Sequence, residues 1–224
     1  VGVDVFFVIS GYLITTIIIN DIEEKKFNLI NFYERRARRI LPALFLVIIV
    51  SLPFAWQWLL PNDMKNFSQS LVAVSVFASN ILFFIESGYF ENGTDLKPLL
   101  HTWSLAVEEQ YYALFPLLLL FTWRLGKTFI IVLLTIIFSI SIFEAHNKFF
   151  FNPEGAFYLL PTRIWEILLG SFVAFYLSKK NKIKTNHYFN EIFSILGILL
   201  IFYSIFIFDK KTNFPSFYTL IPTL

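Results

Sequence analysis

Long runs of apolar residues constrain the fold of this chain more than any other feature. A helix needs roughly 20 mainly apolar residues to cross a bilayer. Hydrophobic residues make up 57% of the chain and charged residues only 15%, against about 45–50% and about 25% in soluble domains. The runs lack the strict alternation of barrel strands, so the sequence predicts an all-α, polytopic transmembrane helix bundle. They lie at Val1–Ile19, Ile40–Leu60, Leu99–Trp123, Phe129–Phe143 (short), Tyr158–Leu177 and Glu191–Phe208.

A seventh and more polar run, Ser68–Ile85, decides the predicted topology. Short basic loops tend to stay in the cytoplasm, and three segments are rich in Lys or Arg: Asn20–Arg39, Arg124–Thr128 and Ser178–Asn190. If every run crossed the membrane, the first two basic segments would lie on opposite faces. We therefore predict that Ser68–Ile85 is an interfacial or re-entrant helix on the outer side, which gives six to seven membrane segments.

Composition also excludes several classes of protein. The chain has no Cys, so it has no disulfide, no thiolate zinc site and no cysteine nucleophile. Its three His are well separated, so no metal site is predicted. A net charge of +2 does not suggest nucleic acid as a partner. The chain begins inside an apolar run and ends on Tyr218–Leu224, which reads as the start of another, so we predict an internal fragment of a longer protein.

Two polar groups lie on the first two predicted helices. Asp4 precedes Ser10 and Gly11, where small residues permit close helix packing; an interfacial Asp with ordinary packing is the alternative. Four arginines follow, and Arg36 and Arg39 share one helix face while Arg35 and Arg38 share another. Forked guanidiniums suit phosphate oxygens, so a nucleotide-like anion such as coenzyme A would fit. Positive-inside anchoring on lipid headgroups remains the alternative reading.

Two further polar groups lie in later runs. His101, Ser104, Glu108 and Tyr112 fall at steps of three and four, so they form one stripe on a helix, near the outer leaflet. A His can remove a hydroxyl proton while a carboxylate or Tyr orients the reactants. The spacing of Arg163 and Glu166 permits an ion pair within one helix. Such a pair would either stabilise the buried charges or take part in function.

Four stretches carry a resemblance to one family: Gly2–Leu13, Phe32–Pro42, His101–Tyr112 and Arg163–Gly170. In series they resemble the membrane acyltransferases of the acyltransferase-3 type, especially the lipopolysaccharide and peptidoglycan O-acetylase branch. The resemblance implies a bundle of about ten helices. Residues 1–224 would then be a partial transmembrane acyltransferase domain that lacks the first helix and the C-terminal helices. Members of this branch often carry an extracytoplasmic hydrolase-like domain after the last helix.

The resemblance also implies roles for particular residues. Arg36 and Arg39 match the R-x-x-R motif that would hold the phosphates of coenzyme A, with Arg35 beside them. Trp103, Glu108 and Tyr112 match W-x-L-x-x-E-x-x-F-Y, with Tyr111 where Phe is usual, and Ser10 with Gly11 matches an S-G-F/Y element beside the reaction centre. The family's candidate catalytic His lies on a preceding helix. The fragment is therefore predicted to be inactive alone, and His101 is only a substitute candidate.

Together these features predict an enzyme of the bacterial inner membrane. It would transfer acetyl from cytoplasmic acetyl-CoA to hydroxyls of an extracytoplasmic glycan (O-antigen, exopolysaccharide or peptidoglycan), with no permanently bound cofactor. The arginines and the His/Glu/Tyr stripe would serve opposite ends of one tunnel. The predicted catalytic residues are His101, Glu108, Ser10 and Tyr112. The predicted substrate-binding residues are Asp4, Trp103, Ser104, Arg163 and Glu166. A small-solute transporter and a polytopic scaffold without chemistry are the alternatives; the chain shows no internal repeat typical of transporters.

Overall fold

The computed structural model describes residues 1–87, 97–180, 187–208 and 215–223. Helices make up most of these ranges and no strand occurs within them, so the predicted all-α class is confirmed for the described residues. Three short 3-10 turns connect helices near residues 123, 160 and 217. The helices are α1 (Gly2–Glu23), α2 (Leu29–Trp58), α3 (Pro61–Ser75), α4 (Ser79–Ser87), α5 (Thr102–Thr122), α6 (Lys127–Phe151), α7 (Pro153–Tyr158), α8 (Ile164–Lys180), α9 (His187–Ile207) and α10 (Leu220–Thr223).

Three of the described helices are long and apolar enough to cross a membrane: α1, α2 and residues 127–148 of α6. Two further apolar stretches, Ile164–Ser178 and Glu191–Ile207, are shorter. Many large apolar side chains of α2 and α9 are exposed, as expected for surfaces that face lipid rather than water. These features indicate a membrane protein, while the predicted number of six to seven membrane segments stays a prediction.

The four arginines lie on a helix, as their spacing predicted, and this helix begins well before the apolar run that the sequence places at Ile40–Leu60. Only residues 24–28 separate α1 from α2. The Asn28 side chain caps α2 by accepting hydrogen bonds from the backbone N–H groups of Ile30 (2.9 Å) and Asn31 (3.2 Å). Because α2 starts at residue 29, Arg36 and Arg39 are on consecutive turns and point to one side of the helix.

The polar run Ser68–Ile85 is split into two helices. Phe77 has a φ of 53°, and the left-handed backbone there separates α3 from α4. With 15 and 9 residues, each is shorter than the roughly 20 residues needed to cross a bilayer. Asn80 fixes α4 in place, since its amide oxygen accepts from Gln110 of α5 (2.9 Å) and its amide nitrogen donates to the Tyr158 carbonyl (3.1 Å).

Helices α1 and α8 make the closest contact in the bundle. A Cβ atom on Gly11 would lie 1.9 Å from the Ile167 carbonyl oxygen, and one on Gly170 would lie 1.9 Å from the Val8 carbonyl oxygen. Glycine at these two positions therefore lets the two backbones touch. The Thr15 hydroxyl donates to Ser171 Oγ (2.8 Å) one turn away, so α1 and α8 form a fixed unit.

We expect Gly170→Ala to destabilise the fold by about 1–3 kcal/mol, because the added methyl group forces two packed backbones apart. Gly197→Ala is the matched control: it lies inside α9 with nothing within 4 Å of the new Cβ, so it should be neutral or stabilise by up to about 1 kcal/mol. The measurement is thermal unfolding of both purified variants in one detergent. Equal melting temperatures for the two variants would contradict the close packing of α1 on α8.

Candidate active site

A cavity of about 280 Å³ lies between α1, α2 and α5. Its polar groups come from all three helices: Ser10 from α1, Arg36 and Arg39 from α2, and Glu108 and Tyr112 from α5. The sequence placed the arginines and the Glu/Tyr stripe at opposite ends of a tunnel, and the structure instead brings them to the walls of one cavity. The remaining wall is apolar and is formed by Phe6, Ile9, Leu13, Ile17, Ile40 and Leu105.

Three oxygen-bearing side chains make a tight cluster on this cavity. Ser10 Oγ donates to Glu108 Oε1 at 2.5 Å and lies 2.5 Å from the Tyr112 hydroxyl. The Tyr112 hydroxyl donates to the same carboxylate oxygen. All three side chains are at least 94% buried, so the carboxylate is held by two hydroxyl donors with little competition from solvent. Such a carboxylate can orient a hydroxyl group and accept its proton.

The arginines of α2 differ in whether a carboxylate neutralises them. Arg35 pairs with Asp21 (3.0 Å) and Arg38 pairs with Glu34 (2.6 Å). Among the described residues, Arg36 and Arg39 make no ion pair, and both line the cavity. The Arg36 guanidinium lies over the Tyr112 ring, 4.5 Å from its centre, as in a cation–π contact. Two cationic groups on one cavity wall form a natural site for a phosphate.

Asp4, Arg163 and Glu166 form a second, fully buried cluster. Arg163 Nη1 lies 2.5 Å from Glu166 Oε1, the pair that the spacing of three permits, and 3.2 Å from Asp4 Oδ1 on α1. All three side chains have no exposed surface. Because buried charges are tolerated only when paired, this cluster binds the start of α8 to α1.

Aromatic rings surround the guanidinium of that cluster. The Arg163 Cζ atom lies 5.4 Å from the Trp103 ring centre and 5.3 Å from that of Phe157, distances typical of cation–π contacts. Trp103 also packs edge-on against Phe7 at 6.2 Å. Trp103 therefore belongs with Asp4, Arg163 and Glu166, and none of these four predicted substrate-binding residues lines the cavity.

Two of the predicted site residues stand apart from both clusters. His101 is exposed at the residue before α5, and it is not among the residues that line the cavity. The Ser104 hydroxyl donates to the His101 carbonyl oxygen at 3.3 Å. The predicted stripe thus divides into two pairs. Glu108 and Tyr112 line the cavity with Ser10, whereas His101 and Ser104 do not.

One polar pair near the site went unnoticed in the sequence. Gln110 lies between Glu108 and Tyr112 on α5, and its amide nitrogen donates to the Phe77 carbonyl (2.9 Å) as well as to Asn80. The uncharged amides in two predicted membrane segments were the signal, since such groups need partners when they are buried. This pair fixes the rotation of α5, and with it the direction in which Glu108 points.

These features define a helical membrane protein in which two arginines and a carboxylate–hydroxyl cluster line one cavity. A sequence profile of the acyltransferase domain (acyltransferase-3) matches residues 1–224, and the chain belongs to this family. It is an acyltransferase, as the resemblance predicted.

The chain is similar to proteins from two bacteria. It is 36% identical over 225 residues to an uncharacterized protein of Haemophilus influenzae, a match covering 97% of this chain and 92% of that protein. It is 35% identical over 178 residues to O-acetyltransferase OatA of Staphylococcus aureus, covering 78% of this chain. The match spans only 29% of the length of OatA. No solved structure matches the chain.

Proposed function

We propose that this chain forms the membrane part of an O-acetyltransferase that moves acetyl from acetyl-CoA to a hydroxyl of a cell-surface glycan. One observation carries the proposal: a single cavity holds two arginines that pair with no carboxylate of the described residues, and a buried carboxylate that binds two hydroxyls. An acyl transfer from a phosphorylated donor to a hydroxyl needs both. The name of the similar OatA protein supports acetyl as the group transferred.

In this proposal, α2 binds the acyl donor. Arg36 and Arg39 bind phosphate oxygens of coenzyme A from one helix face, with the thioester directed toward α1 and α5. The cation–π contact of Arg36 with the Tyr112 ring fixes the guanidinium plane before the donor arrives. Arg35 lies one residue earlier and is already paired with Asp21, so it adds to the positive field more than to direct binding.

The cluster of Ser10, Glu108 and Tyr112 activates the acceptor hydroxyl. Glu108 is the proton acceptor, because its Oε1 atom already receives hydrogen bonds from hydroxyl groups on the cavity wall. Once Glu108 has taken the hydroxyl proton, the single Tyr112 O–H can turn from this carboxylate to the oxygen that becomes negative at the thioester carbonyl. His101, exposed at the residue before α5, contacts the incoming glycan in this proposal, and Asp4 with Arg163 and Glu166 holds α1 and α8 in register.

The test is transfer of radiolabelled acetyl from acetyl-CoA to surface glycan by the full-length native protein in membranes. We expect the double variant Arg36→Ala, Arg39→Ala to raise the KM for acetyl-CoA about 100-fold or more. Each lost guanidinium removes charge-assisted hydrogen bonds of about 1.5–3 kcal/mol.

A control variant removes the same number of charges without touching the cavity. In Lys26→Ala, Arg38→Ala, both side chains are exposed and each already pairs with a neighbouring Glu, so its KM should stay within about twofold of the wild type. Equal effects of the two double variants would mean that the arginines act only through net charge. Uptake of a solute by the full-length protein, without any acetyl transfer, would show that the protein is a transporter and not an acetyltransferase.

A further inference from the structure

The geometry points to Ser10 as a covalent acyl carrier: we propose that the acetyl group is transferred first to Ser10 Oγ and only then to the acceptor. This inference rests on the proposed function and adds an intermediate to it. Ser10 is the only aliphatic hydroxyl among the residues that line the described cavity, where it comes from α1 and the two arginines come from α2.

The contacts around Ser10 are those of an activated nucleophile. A serine hydroxyl is a weak nucleophile until a base within hydrogen-bond reach takes its proton, and that base is itself oriented by a third group. Ser10 Oγ donates to Glu108 Oε1 at 2.5 Å. Glu108 is in turn held by the Tyr112 hydroxyl, and Tyr112 is held by the Arg36 guanidinium over its ring.

The positions of these residues link the nucleophile to the donor site. The contacts from Arg36 through the Tyr112 ring to Ser10 Oγ place the guanidinium within about 10 Å of the hydroxyl. The pantetheine arm of coenzyme A has about as many chain atoms as four residues, so it reaches roughly 13 Å. A donor whose phosphates lie on Arg36 can therefore bring its thioester carbon to Ser10.

A two-step transfer suits a site with one cavity. The two arginines and Ser10 line the same cavity of about 280 Å³, and sites for a single small ligand measure roughly 300–1,000 Å³. A covalent intermediate lets the thiol leave before the sugar enters, so the same cavity serves both substrates in turn.

Both steps balance in atoms and charge. In the first, the Ser10 Oγ–carbonyl carbon bond forms and the carbon–sulfur bond breaks; the Ser10 proton passes to the Glu108 carboxylate and from there to the leaving thiolate. In the second, the acceptor oxygen bonds to the carbonyl carbon and the Ser10 ester bond breaks. The acceptor proton passes to Glu108 and then to Ser10 Oγ, which restores the starting state.

The experiment is a rapid quench of the full-length native protein with acetyl-CoA labelled in the acetyl group, in the absence of glycan. We expect about one acetyl group per protein, released by hydroxylamine and located by mass spectrometry on the peptide that contains Ser10, together with parallel-line kinetics when glycan is added. Ser10→Ala should lose the label. Ser10→Cys should keep it as a thioester, and Tyr112→Phe should still label Ser10 at a lower rate.

The control variant is Ser204→Ala, because Ser204 is a buried serine of α9 that donates to a backbone carbonyl and lies away from the cavity; it should label like the wild type. Glycan acetylation without any label on the protein would overturn the intermediate and leave the proposed function intact. Label on Tyr112 or Glu108 would overturn the assignment to Ser10. Failure of the wild type to acetylate glycan at all would overturn the proposed function itself.

Discussion

Glu108→Gln is expected to lower kcat for acetyl transfer by about 10²–10⁴-fold, the usual contribution of a positioned general base. The amide oxygen of Gln can still accept hydrogen bonds from Ser10 and Tyr112, so the cavity should keep its shape. What it cannot do is take the hydroxyl proton. The KM for acetyl-CoA should change little, because the donor is bound by the arginines of α2. The measurement is steady-state transfer of labelled acetyl over a range of acetyl-CoA concentrations, which gives kcat and KM separately.

The control for this variant is Glu144→Gln, which makes the same change of charge on α6. Glu144 is partly exposed, pairs with Lys148 at 3.3 Å, and does not line the cavity, so its kcat should match that of the wild type. If Glu108→Gln retains more than about a tenth of the wild-type kcat, a loss far below the usual range for a general base, then Glu108 is not the proton acceptor.

Arg163→Met is expected to destabilise the fold by about 3–5 kcal/mol, the usual cost of removing one partner from a buried ion pair. Met keeps the length of the side chain but leaves Asp4 and Glu166 without the guanidinium that both contact. The aromatic rings of Trp103 and Phe157 would also lose their cation. Thermal unfolding in detergent, followed by the fraction of protein that remains monodisperse, measures the change.

A charge-neutral variant separates this cause from a loss of packing. In Arg163→Met combined with Asp4→Asn and Glu166→Gln, no unpaired charge remains buried, so most of the lost stability should return. Arg124→Met, at an exposed position, should stay within about 0.5 kcal/mol of the wild type. A triple variant as unstable as Arg163→Met alone would show that packing of the guanidinium, and not its charge, is what matters.

Local spacing was enough to predict the features that lie within one helix. The apolar runs predicted an all-α chain. The step of three between Arg163 and Glu166 predicted their contact, because residues three apart share a helix face, although Arg163 is the residue before α8 and the pair is therefore not within the helix. The same rule placed Arg36 and Arg39 together. It also placed Glu108 and Tyr112 on one face of α5, where they share a hydrogen bond.

Contacts between helices could not be obtained in this way. Asp4 reaches Arg163 across 159 positions in the sequence, and Ser10 reaches Glu108 across 98; no periodicity within a helix carries that information. His101 continues the stripe by spacing alone, but it precedes the first residue of α5 and is exposed. The helical extent of α2 was underestimated because its first turns are charged, and the Asn28 cap that starts it was overlooked.

The backbone contact between α1 and α8 has a consequence for how such enzymes can diversify. Gly11 follows Ser10 directly, and Gly170 lies one turn after Glu166, so Ser10 and the buried ion pair are both anchored to a junction that admits no side chain. Lineages that acquire new acceptors are therefore expected to keep glycine at both positions and to vary elsewhere.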